Sequence, residues 1–85
     1  MFTNKTEDER NNLCGRKVAE KRKDMGLSQR ALADRLQREG LDVDKNAVQR
    51  IESGQRFVTD IELKYLSKAL DITLQELLDP AEMGN

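Results

Sequence analysis

Residues 44–56 read DKNAVQRIESGQR, and counting them around a helix sorts their side chains into two sets. At about 100° per residue, Ala47, Val48 and Ile51 fall within an arc of about 100°. Lys45, Asn46, Gln49, Arg50 and Ser53 occupy an opposite arc of about 140°. The first set is the stripe that an amphipathic helix lays against a core. The second is particular, because a plain solvated face would more often mix Glu with Lys. Asp44 stands where an N-cap belongs, and Gly54 where the chain must leave the helix.

The segment before it, LSQRALADRL (27–36), repeats the logic. Ser28 is a candidate N-cap and Gln29 stands in the first turn. Ala33 lies between Leu32 and Leu36 on the inward face, and a small residue there lets a second helix cross closely, as a helix-turn-helix requires. Further along, Thr59-Asp-Ile-Glu62 and Thr73-Leu-Gln-Glu76 both match the capping box, in which hydroxyl and carboxylate each satisfy a free N–H at a helix start. Thr6-Glu-Asp-Glu9 is a weaker third match. Gly26, Gly40 and Gly54 each follow a helical pattern, and Pro80 closes the last.

These signals predict an all-α chain of five helices with no alternating β pattern. The first helix starts between Glu7 and Leu13 and runs to Met25. The others span about residues 29–38, 45–53, 60–70 and 74–78. The inward set is Val18, Met25, Leu32, Ala33, Leu36, Leu41, Val43, Ala47, Val48, Ile51, Ile61, Leu63, Leu66, Ala69, Leu70, Ile72, Leu74, Leu77 and Leu78. One domain over residues 7–79 accounts for the chain, with residues 1–6 and 80–85 expected as frayed ends.

Apolar and charged residues each make up 36% of the 85, a balance that would allow disorder, but the apolar ones recur at helical spacing, which favours a packed core. Cys14 is the single cysteine and there is no His. That excludes an intrachain disulfide and zinc sites built from Cys/His clusters, and leaves Cys14 as a small apolar side chain. There is no membrane-length apolar run and no secretory signal, so the expectation is a cytoplasmic protein. No nucleophile–base set is present, and no cofactor, metal or small-molecule effector is expected; the chain does not read as an enzyme.

The net charge of −1 hides a division. Residues 13–56 hold eleven Lys/Arg against seven Asp/Glu, a balance of +4, whereas residues 57–85 hold two against six, a balance of −4. A polyanion responds to the local field, so the basic middle outweighs the acidic total. On the polar arc, Asn and Gln suit paired hydrogen bonds to adenine, and Arg and Lys to guanine, along a major-groove edge.

Gly26-Leu-Ser-Gln-x-x-Leu32-Ala, Val48-x-x-Ile51-Glu-x-Gly54 and Leu66-x-x-Ala69-Leu-x-Ile72 together resemble the helix-turn-helix domains of the Cro and phage-repressor family, over about Gly15 to Leu78. The resemblance implies a compact five-helix DNA-binding bundle whose third helix enters the major groove. It implies base-reading positions at Lys45, Asn46, Gln49 and Arg50. It places phosphate contacts at Gln29 and at Ser53, Gln55 and Arg56; apart from the resemblance, Lys17, Arg16 and Lys45 are further phosphate candidates as cations of the basic middle. It also implies an ion pair between Arg22 and Glu52, in keeping with Glu52 lying beside the apolar arc, where a lone charge is penalised.

One departure stands out. The segment LQREGLDVDKN (36–46) makes the turn between the two motif helices longer than the family pattern. Leu41 and Val43 would pin it, while Asp42 and Asp44 bring negative charge near the reading face. The function implied is sequence-specific binding to double-stranded DNA as a repressor-like transcriptional regulator, acting as a homodimer on a two-fold symmetric operator. Tyr65, Leu74 and Leu78 are the expected dimer surface. The alternative is an antitoxin-like protein-interaction module on the same fold.

Overall fold

A computed structural model describes residues 5, 6 and 9–78. It contains α1 (Gly15–Asp24), α2 (Gln29–Glu39), α3 (Lys45–Ser53), α4 (Asp60–Leu70) and α5 (Leu74–Leu78), with no strand among the described residues. The starts of α2 to α5 follow their capping chemistry. Ser28 Oγ accepts the Ala31 N–H at 3.0 Å, and Asp44 Oδ1 accepts that of Ala47 at 2.8 Å. Both capping boxes close: Thr59 with Glu62, and Thr73 with Glu76. Each supplies a partner to N–H groups that the helix itself leaves unmatched.

The first helix departs from expectation. It begins at Gly15, beyond the 7–13 window, and ends at Asp24, with Met25 as its C-cap. Thr6 starts no described helix: its Oγ1 accepts the Arg10 N–H at 3.0 Å, its carbonyl accepts the Glu9 N–H, and Glu9 takes a left-handed φ of 68°. Glu7 and Asp8 of that expected box, like residues 1–4 and 79–85, lie outside the described residues. Residues 10–12 join no helix: the Arg10 backbone bonds to Thr6, and the Arg10, Asn11 and Asn12 side chains bond to carbonyls at the far end of α3 and just beyond it.

α2 and α3 cross as the helix-turn-helix pair; α1 braces α3, α4 packs on α2 and α1, and α5 closes against α4 and α1. The fully buried core comprises Cys14, Val18, Leu32, Ala33, Leu36, Val43, Ala47, Val48, Ile51, Leu66, Ala69, Leu70 and Leu77. Met25, Leu41, Leu63, Ile72 and Leu78 pack against it half-buried. Two expected core residues do not: Ile61 is 65% exposed and Leu74 is 46% exposed. Ile61 lies about 140° around α4 from Leu66, on the opposite face. Leu74 opens a helix of only five residues, and from it Leu77 alone is fully buried.

The long turn between α2 and α3 is built. Gly40 caps α2 with a left-handed φ of 112°, a conformation open to glycine at low cost, and sits against Tyr65. The Leu41 N–H donates to the Leu36 carbonyl, Val43 is buried, and Gln37 Nε2 donates to the Val43 carbonyl at 2.7 Å. The insertion therefore leads into the Asp44 cap without slack.

Candidate nucleic-acid interface

α3 buries Ala47, Val48 and Ile51 and leaves Lys45, Asn46, Gln49, Arg50 and Ser53 exposed. The two faces are those separated by the helical count. Asn46, Gln49, Arg50, Ser53 and Gln55 line one shallow groove. A second groove, between α2 and α3, is lined by Arg30, Ala33, Asp34, Gln37, Asp44, Lys45 and Asn46. Asn46 stands where the two meet, and Arg30, which sequence reasoning passed over, flanks Lys45.

Glu52 is the hub behind this face. Its Oε2 accepts from Arg22 Nε at 2.6 Å, and its Oε1 accepts from Arg22 Nη2 and Gln29 Nε2, both at 3.0 Å. Arg22 Nη1 donates to the Leu27 carbonyl at 2.8 Å. The Arg22 and Glu52 side chains are only 11% and 8% exposed. One buried, two-pronged ion pair thus joins α1, the turn after it, the start of α2 and the end of α3. The hydrogen bond to Glu52 raises the guanidinium pKa of Arg22 against the opposing cost of burial.

The remaining expected residues differ in how far they are held out. Ser53 and Gln55 are exposed; Ser53 Oγ donates to the Arg50 carbonyl. Gln29 turns its amide to Glu52. Arg56 directs Nη1 and Nη2 to Glu62 Oε2 at 3.2 and 3.1 Å. Lys17 lies 3.6 Å from Glu20 on α1. The N-terminus of α3, whose dipole would favour an anion, is already matched by the chain's own Asp44 carboxylate. Among the described residues no group of His, Cys, Asp or Glu side chains is placed to hold a metal ion.

Sequence reasoning also missed the segment that closes the far end of α3. Arg10, Asn11 and Asn12 donate hydrogen bonds to carbonyls of Ile51, Glu52, Gly54, Gln55 and Arg56. Pairs 39 to 44 residues apart leave no periodic trace in the chain.

A helix-turn-helix family profile matches residues 18–77, which covers α2, α3 and most of the remaining bundle. The chain belongs to this helix-turn-helix family. It is of the Cro and phage-repressor type, and its activity is sequence-specific DNA binding as a transcriptional regulator. Among solved structures it is similar to the restriction-modification controller protein C.AhdI from Aeromonas hydrophila. The two share 36% identity over 74% of this chain and 84% of that one, with a TM-score of 0.65. No curated protein matches. No helix among the described residues is long and apolar enough to cross a membrane.

Proposed function

We propose that this helix-turn-helix regulator reads double-stranded DNA through Lys45, Asn46, Gln49 and Arg50, as a cytoplasmic, non-enzymatic controller of restriction-modification genes. The observation that carries the reading is the division of α3. One face is locked to the bundle by apolar burial and by Glu52; the other presents these four side chains together and exposed. Such groups in a major groove specify bases, while contacts to phosphates set position and most of the affinity.

Ser53 and Gln55, both exposed, would meet phosphates directly. Arg56, Gln29 and Lys17 would do so while keeping or exchanging partners within the chain. The likeness to C.AhdI favours the regulator over a protein-interaction module. A homodimer fits the two-fold symmetry of most helix-turn-helix sites. Leu74, Ile61 and Phe57 are the exposed apolar side chains on and beside α4 and α5 that would serve it, while Tyr65 and Leu78 are half-buried in the protomer.

Selection of bound duplexes from a random pool, followed by titration of the winner at several salt concentrations, tests this directly. A two-fold symmetric consensus is expected. Arg50→Ala should weaken binding to it by about 1–3 kcal/mol and relax preference at one base pair. Equal loss on random duplex would remove the base-reading role.

A further inference from the structure

We propose that the strap Arg10–Asn12 is a positioning device for DNA reading, setting the pose of the end of α3 and of residues 54–56. The inference rests on the reading of α3 as the helix that enters the groove. A helix leaves its last carbonyls without intrahelical donors. Here Gly54, with a left-handed φ of 85°, turns the chain, and the Gln55 and Arg56 N–H groups both fold back to the Arg50 carbonyl. The strap supplies donors to the outward carbonyls. Arg10 Nη2 reaches Glu52 at 2.6 Å, and the Asn11 N–H and Nδ2 reach Gly54 and Gln55 at 2.8 and 2.9 Å. Asn12 Nδ2 spans Ile51 and Arg56 at 3.1 and 2.7 Å, while its Oδ1 accepts the Gly15 N–H at 2.8 Å.

Asn12 is thus a buried bracket between the first turn of α1 and the last turn of α3. The strap fits only because two residues lack a side chain. A Cβ on Gly54 would stand 2.8 Å from the Arg10 guanidinium carbon, and one on Gly15 would stand 2.2 Å from the Ile51 carbonyl oxygen. The cation of Arg10 also lies at the negative end of the α3 dipole. Gln55 and Ser53, which share a groove with Gln49 and Arg50, are carried on the very backbone that the strap holds. Their direction relative to the reading face is therefore set by residues that need touch no base.

The test is Asn12→Ser in the full chain, which keeps a neutral acceptor for the Gly15 N–H and drops the donors to Ile51 and Arg56. Binding is measured on the duplex selected by the wild-type protein and on a random duplex, at a temperature where circular dichroism shows the variant folded. The loss of two hydrogen bonds should lower affinity for the selected duplex about tenfold. The loss on random duplex should be smaller, and the salt slope unchanged, because no charge is altered. Amide exchange at Gln55 and Arg56 should speed up. A folded variant with wild-type affinity and preference overturns the strap. Should Asn12→Ser fail to fold, Asn11→Ala, which removes the exposed bond to Gln55, is read the same way, with a loss of about threefold expected and an unchanged preference overturning the proposal. A wild-type chain that prefers no duplex would instead refute the reading of α3, a result distinct from either variant outcome.

Discussion

Glu52 sits within the bundle and still belongs to the reading helix, so its chemistry connects fold and function. Replacing it with Ala leaves Arg22 buried without its counter-ion. Removing one partner of a buried pair costs about 3–5 kcal/mol, more than the pair itself contributes. Glu52→Ala should therefore lower the thermal midpoint sharply, and an unchanged midpoint would contradict the hub. The raised pKa of Arg22 keeps the guanidinium charged over the working range: its own contribution is complete below the unfolded guanidinium value and falls only in strong alkali.

Cys14 behaves differently. Burial pushes its thiol up to about 11, so the unfolded chain ionises first, near the ordinary value of about 8.5. Stability should be level with respect to this group below that value and fall as pH rises towards 11. Native Cys14 should resist alkylation at neutral pH and react on unfolding; rapid modification of the native protein would rule out its burial.

That Glu52 needs a partner was legible because a carboxylate beside an apolar arc is penalised alone; that the partner is Arg22 was implied by the family resemblance. The turn of Gln29 towards Glu52 was not, since a neutral amide carries no such demand.

At the level of elements, caps decide where helices begin, and at α3 the cap also decides the local field. Asp44 satisfies the Ala47 N–H but places a negative charge at the entrance to both grooves' shared residue, Asn46. Asparagine caps as well as aspartate, so Asp44→Asn should leave the unfolding free energy within about 0.5 kcal/mol of wild type. DNA affinity should rise severalfold at low salt; an unchanged affinity would place Asp44 away from the phosphates.

Glu62 offers the parallel case on α4. Glu62→Gln keeps a capping-box side chain and releases the charge that now holds Arg56. A steeper salt slope, by up to about 0.9, is expected if Arg56 then meets a phosphate.

Helix starts that carry such caps were readable to the residue, because the signal lies within four positions. The start of α1 was not. Its N-cap, Cys14, makes no side-chain cap bond, and its placement depends on Asn12 reaching Ile51 and Arg56. The facing of Ile61 was within reach of the helical count, which sets it opposite Leu66. The exposure of Leu74 was not, because so short a helix has no settled face.

Over the whole molecule, two kinds of force divide the work. Among the described residues, the fold rests on thirteen buried apolar side chains and on the Arg22–Glu52 pair, which has little exposure to ions. Surface pairs such as Lys68–Glu39, at 3.7 Å, add little. On the proposed reading, DNA binding rests on exposed cations from a segment whose balance is +4. Salt screens the second far more than the first. With about three phosphates engaged by each chain of the proposed dimer, about six in all, raising salt from about 50 to 200 mM should weaken binding about 2,000-fold. Over the same range the thermal midpoint of the free protein should move by no more than a few degrees. A midpoint that fell in step with affinity would mean that exposed ion pairs carry the fold. A constant affinity would mean that the basic middle of the chain faces away from DNA.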